Sequence, residues 1–210
     1  TTTCNVEVGA PNCDYAYVAS NGTDATDRGG PDNPYATLAY AISQLGSRRH
    51  IKMATGTYSF SSRANIPSNV IIEGRFDAAN GWRKQNDGNT NITFTNSAGN
   101  ISTSGNDIRH LIGMSANGTT GWTLQDINVT TSTVTGTSTS GNGSSNYALW
   151  LSSASNYQII RCNITSGAAS QGTNGANGGN GGNGGAGGNA NTASNARGRD
   201  RCGGDGGGTG

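Results

Sequence analysis

Five carboxylates, Glu73, Asp77, Asp87, Asp107 and Asp126, are the acids available in the middle of the chain for acid–base work or cation binding. Glycoside hydrolysis needs two carboxyl groups close together. Here the acids are singletons, with no Asp-Asp or Asp-x-Asp pair. Glu73 is the best single candidate, because it ends the apolar run Ile71-Ile72-Glu73-Gly74 beside Arg75. The plainer expectation for it is a salt-bridged or exposed carboxylate at a strand end. Arg161 precedes Cys162 at an expected bend, where an outward, solvated role is the plain alternative to a basic catalytic one. The two histidines, His50 and His110, each begin an apolar strand and can act together only if the fold stacks them. There is no Gly-x-Ser-x-Gly elbow, no phosphate loop and no His-Glu-x-x-His. No catalytic residue, metal ligand or cofactor is therefore assigned, and nothing in the acids supports Ca²⁺.

Aromatic and sulfur side chains offer other chemistry. Trp82 sits in the polar run 77–87, and Trp150 stands between Leu149 and Leu151. On a strand of period two, Trp150 points away from those leucines. Both tryptophans are candidates for stacking on a sugar ring, against burial under a neighbouring loop. The cysteines are Cys4, Cys13, Cys162 and Cys202, with no Cys-x-x-Cys spacing for zinc. Four cysteines allow three pairings. The expected one is Cys4–Cys13, closing a short N-terminal loop, with Cys162–Cys202 tying the tail to the body. The alternative is four thiols in a reducing compartment.

The composition sets the frame for these groups. Formal net charge is +1, so neither nucleic acid nor an anionic membrane is expected as partner. No run approaches the ~20 apolar residues of a membrane span. Of the 35 glycines, 18 fall in residues 167–210, a stretch without Val, Ile, Leu, Met, Phe, Trp or Tyr. Such a stretch cannot offset its ordering entropy by burial. We expect a folded region over 1–166 and a Gly/Asn-rich low-complexity segment over 167–210, continuing into further chain. Its Gly-Gly-Asn period matches the three-residue turn of polyproline II. Few lysines, much Asn, Ser, Thr and Gly, seven Asn-x-Ser/Thr sequons and a start resembling a processed terminus all point to a secreted or cell-surface protein.

Periodicity predicts a strand over 15–20, a loop over 21–34 and one amphipathic helix within 35–46, with Leu38, Ala41, Ile42 and Leu45 on one face and Gly46 past its end. Short strands follow at 49–54, 70–74, 91–95, 110–114, 122–129, 147–151 and 157–164, with a turn at 55–58. Thr131 to Thr139 place Thr at every second position, which on a strand would share one face. Two blocks repeat: Trp122-x-Leu124-x-x-Ile127-x-Val129 and Tyr157-x-Ile159-x-x-Cys162-x-Ile164. Such self-similarity signals a solenoid, whose turns share one core. The spacing also requires a bend inside each block, which the strands of an antiparallel sandwich lack.

Residues 15–60 resemble the start of the pectin-lyase-like right-handed β-helix proteins. The matching residues are Tyr17-Val18-Ala19-Ser20-Asn21-Gly22, Asn33-Pro34-Tyr35-Ala36-Thr37-Leu38-Ala39-Tyr40-Ala41-Ile42, Ile51-Lys52-Met53-Ala54 and Gly56-Thr57-Tyr58. The resemblance implies an all-β, right-handed parallel β-helix with one N-terminal capping α-helix, here followed by the Gly-rich tail. Its helix covers the open end of the first coil, with Leu38, Ile42 and Leu45 facing it. The fold serves lyases, hydrolases, spikes and adhesins alike. Lyases of the fold need clustered acids for Ca²⁺ and an Arg or Lys as base. The expected role is accordingly a non-enzymatic structural or adhesive module that self-associates or joins other surface-protein subunits. The alternatives are a polysaccharide lyase or glycoside hydrolase, or a carbohydrate-binding β-helix.

Overall fold

The computed structural model describes residues 14–184. Fourteen strands follow one another: β1 (Tyr15–Val18), β2 (His50–Ala54), β3 (Gly56–Ser62), β4 (Ala64–Asn65), β5 (Ile71–Asp77), β6 (Arg83–Lys84), β7 (Thr90–Gly99), β8 (Ile101–Ser104), β9 (Ile108–Asn117), β10 (Thr123–Gln125), β11 (Ile127–Thr131), β12 (Ser144–Ser152), β13 (Gln158–Ile160) and β14 (Asn163–Thr165). Sheet A orders β1-β2-β5-β10-β13, sheet B orders β14-β11-β7-β3, and sheet C orders β12-β9-β4. Every pairing between successive turns is parallel; only the added strands β6 and β8 pair antiparallel, with β5 and β9. The chain is a parallel β-helix of about four turns. Parallel crossovers of this kind are right-handed.

The core consists of columns of inward side chains. On sheet A, Ala16, Ile51, Ile72, Leu124 and Ile159 are successive register partners. On sheet B, Tyr58, Ile92, Val129 and Ile164 align in the same way. Phe60 packs edge-on against Phe94, with ring centroids 5.7 Å apart. Leu124, Val129, Ile72 and Ile92 are almost wholly buried, and each contributes roughly 1.5–3 kcal/mol by leaving water. The two repeated blocks stack as expected: Trp122 lies parallel to Tyr157 at 4.7 Å, and Leu124 and Val129 sit beneath Ile159 and Ile164. The bend within each block is one left-handed residue, Asp126 (φ 56°) or Arg161 (φ 51°). In the second turn the left-handed residue is Arg75 (φ 66°), and at Gly74 before it a Cβ would come within 2.4 Å of the Asp126 carbonyl oxygen.

The helix α1 (Leu38–Ser43) is capped by Thr37, whose Oγ1 accepts from the Tyr40 amide at 3.2 Å. Asp24 fixes the entry, accepting from the Ala36 and Thr37 amides and the Thr37 hydroxyl. Leu38, Ala41 and Leu45 are buried in the core and Ile42 packs on its margin, so the helix closes the end of the first turn.

Two readings are revised. The turn over 55–58 is the start of β3, because Gly56 (φ 146°) makes the corner and the chain then runs extended beside β7. Residues 132–143 form a loop and not a Thr-faced strand; Val134 turns inward there, and Asn146 accepts from Thr131 and donates to the Ser132 carbonyl. A polar ladder is found instead on sheet B, where Asn91, Asn128 and Asn163 stack, as do Thr93, Thr130 and Thr165. Three of the sequons are thus rungs of one wall.

The first compact unit runs to Asn174 and the second covers 175–210. Residues 168–173 lie along the 132–143 loop: the Val134 amide donates to Ala168 O, and the Thr173 amide to Gly141 O. Gly143 permits this approach, since a Cβ there would meet the Ser170 carbonyl oxygen at 2.3 Å. Within the second unit, residues 175–184 carry no helix or strand. No helix among the described residues is long and apolar enough to cross a membrane.

Leu124 and Ile159 hold one repeat position, but Leu124 is fully buried and Ile159 is 40% exposed. Leu124→Ala is expected to cost about 2–5 kcal/mol and Ile159→Ala about 1 kcal/mol or less. Denaturant unfolding of the two variants reads the difference, and equal costs would contradict the stacking order.

Candidate functional site

Stacking places polar groups from distant parts of the sequence on two outer walls. On sheet A, Glu73 is the register partner of Lys52 and Gln125, one residue before the Asp126 corner. Residues 75–89 leave the solenoid at that corner of the second turn and return over sheet A. This excursion brings Lys84 between the two carboxylates, with Nζ 2.7 Å from Glu73 Oε1 and 2.6 Å from Asp126 Oδ2. Arg161, one turn further on, donates from Nε to Asp126 Oδ1 at 2.6 Å and from its terminal nitrogen to Oδ2 at 2.8 Å. His50 Nε2 lies 2.9 Å from Glu73 Oε2, and the Gln125 amide donates to Glu73 Oε1 at 3.0 Å.

Asp126 is the hub, with only 2% of its side chain exposed. The Arg161 fork, followed by Lys84, holds its carboxyl well below the usual range against the opposing effect of burial. Such a group stays ionised and is inaccessible to substrate. Burial pushes the His50 imidazole below its ordinary value, against the opposite pull of Glu73. Beside this network Lys52 Nζ stands 3.7 Å over the Tyr15 ring. The arrangement ties four successive turns and the excursion together. Both carboxylates have all their strong donors in place, so neither is a free acid or base.

Trp82 anchors the excursion. It is 6% exposed, edge-on to Tyr17 at 4.7 Å, and its indole N–H donates to Pro31 O at 3.0 Å. The expectation that Trp82 contacts carbohydrate is therefore corrected: its faces are covered by Tyr17 and its neighbours Ala19, Ala54 and Phe76.

Sheet C carries the second wall. An open groove of about 610 Å³ runs across it, lined by Arg63, Asn65, His110, Ser115, Trp150 and Ser152 among others, none of them acidic. Trp150 pairs in register with Ser115, and Ser115 donates to Asn65 Oδ1 at 2.6 Å. The Trp150 ring is half-buried and lies edge-on to Tyr147 at 4.8 Å and beside His110 at 5.8 Å. Three lining residues hold buried polar atoms without a partner: Arg63 Nε, His110 Nδ1 and Thr119 Oγ1. Burial lowers the pKa of the Arg63 guanidinium.

The two histidines do not meet: His50 is on sheet A and His110 on sheet C. Cys162 carries a free thiol. Its Sγ lies against Leu124 O and Ile160 O at the core margin. Cys4, Cys13 and Cys202 lie outside the described residues. Among the described residues no group of three or more His, Cys, Asp or Glu is arranged to hold a metal ion. Sequence reasoning had found Glu73 but missed Lys84 and Asp126 as its companions. The alignment of the repeated blocks puts Asp126 opposite Arg161 and was the available signal.

Comparison with family models, with curated proteins and with solved structures gives no match.

The network sets the acid response. The folded pKa of Asp126 is depressed, so its contribution is complete above the ordinary Asp value of ~4 and is lost as pH falls below it. His50 has a lowered folded pKa, so the unfolded chain binds its proton first and stability starts to decline below ~6.5. Urea midpoints measured against pH should fall in two stages, and His50→Gln should remove only the upper one. Lys84→Met should cost about 1–2 kcal/mol at neutral pH, the value being reduced by solvent screening of a side chain one-third exposed.

Proposed function

We propose that this chain is a non-enzymatic structural or adhesive module of a secreted or cell-surface protein, and that it holds a saccharide in the sheet C groove. The carrying observation is the groove itself, which joins a half-buried tryptophan to the polar side chains of Asn65, Ser115 and Ser152 and contains no carboxylate. A pyranose presents an apolar face and a rim of hydroxyls, which suits Trp150 flanked by Asn65, Ser115 and Ser152. Binding without turnover follows from the placement of the acids. Glu73 and Asp126 are engaged on another wall, and the groove has no acid to act as base, nucleophile or cation ligand. The resemblance of residues 15–60 to the pectin-lyase-like proteins supports the same reading, since that superfamily presents ligands on solenoid walls. We place the chain in that superfamily as part of the proposal.

Trp150→Ala is expected to weaken polysaccharide binding at least about tenfold, equivalent to 1.4 kcal/mol, with the fold intact by circular dichroism. Affinity electrophoresis against neutral and acidic polysaccharides tests this. Unchanged retention of the variant, or no retention of the parent on any polysaccharide, removes the reading. Release of unsaturated or reducing ends would replace it with that of a lyase or hydrolase.

A further inference from the structure

Sheet B presents a wall unlike the other two. Its outward side chains fall in two columns of register partners. Thr57, Asn91, Asn128 and Asn163 form one, and Ser59, Thr93, Thr130 and Thr165 the other. The register is unbroken across these positions. Each is a small neutral side chain with a hydroxyl or an amide, and none is buried. Sheet A, by contrast, carries His50, Lys52 and Glu73 outside, and sheet C carries His110 and Trp150.

The columns are fixed from within. Thr130 Oγ1 donates to Ile92 O at 3.1 Å, which uses its one hydrogen. The Thr93 hydroxyl is therefore the donor in the 3.0 Å contact between the two threonines. Asn128 Nδ2 donates to Asn91 Oδ1 at 2.8 Å. These bonds hold the rotamers and still leave capacity unused. Lone pairs remain on Thr93, and Asn91 Nδ2 and Asn128 Oδ1 have no partner among the described residues. Rungs recur about every 4.8 Å, and the columns, two residues apart on each strand, stand about 6.6 Å from each other. Side-chain ladders of this kind keep a stacked sheet flat.

We propose that this wall binds the surface of an ice crystal. On the prism face of hexagonal ice, water oxygens repeat in two perpendicular directions at spacings close to these. The paired columns therefore hold water where the crystal continues it. A crystalline polysaccharide calls for rings to stack on, and phosphate-bearing surfaces call for cations; the wall has neither. Each contact to a water is weak, but a rigid array makes many at once with little left to order. The inference is independent of the saccharide groove, which lies on sheet C.

Slow freezing of a dilute solution of the 210-residue chain tests it, with an inert globular protein as the excluded standard. The chain should be enriched in the ice, and it should open a gap between the melting and freezing points of a single crystal. Thr130→Tyr, in the middle of the array, should abolish both. Thr57→Tyr is the second variant, on an exposed rung with no hydrogen bond to lose among the described residues. It should diminish both effects even where Thr130→Tyr fails to fold. Thr123→Tyr makes the same exchange on sheet A and should change neither. Far-UV circular dichroism just above freezing verifies each fold. Exclusion of the parent chain from ice overturns the proposal, as does ice binding that survives both sheet B variants. Self-association lost in Thr57→Tyr, without entry into ice, assigns the wall to a second copy and overturns it equally.

Discussion

Everything in this molecule depends on in-register stacking of turns that cannot be stable singly. A turn has only strands of two to ten residues, each with one apolar face and two unpaired edges. Only the turn above and the turn below supply the partners. The same requirement that aligns Ile51, Ile72, Leu124 and Ile159 inside the solenoid also aligns whatever lies between them outside. Outward side chains from distant sequence therefore become neighbours at about 4.8 Å spacing.

That geometry explains why the two walls differ. On sheet A the corner residues are left-handed and not glycine, a conformation that costs roughly 1–2 kcal/mol per residue. Asp126 and Arg161 occupy adjacent corners and form a two-pronged ion pair. The strain of each corner is thus offset by the contact it makes possible. Lys84 completes the wall from the excursion, held in place by the buried Trp82 and by its own bond to Gly74 O at 2.6 Å. The result is a closed electrostatic unit. On sheet C the lining is neutral apart from Arg63 and His110, and polar atoms stay unpartnered. The sheet A groups hold turns together, and the sheet C groove lies open on the other wall.

The two ends of the solenoid show the same contrast. One is covered by a helix whose apolar stripe replaces a missing turn. At the last turn the next rung of each column includes the exposed Leu151, Tyr157 and Ile159. Burial of Leu124 and exposure of Ile159 are consequences of position in the stack and not of side-chain type.

The sequence by itself determined the parts that arise from local periodicity. The α1 stripe, the repeat of Trp122 to Val129 in Tyr157 to Ile164, and the bend within each block were legible because each is written in fewer than a dozen contiguous residues. Glycine 56 was misread as a turn, since a left-handed corner and a turn use the same residue. What only the tertiary structure decided was which turn's residues meet. Successive turns advance by 21, 52 and 35 residues, from Ile51 to Ile72 to Leu124 to Ile159. Loops of unequal length absorb the differences, so no fixed spacing in the sequence connects Glu73 with Lys84, Asp126 and Arg161, or Asn65 with Trp150. Trp82 likewise sits in a polar run, and its burial depends on where a fifteen-residue excursion returns over sheet A. Strand register is a non-local equilibrium, won by the alignment that buries the most apolar surface, and side chains on the outer walls follow it without having specified it.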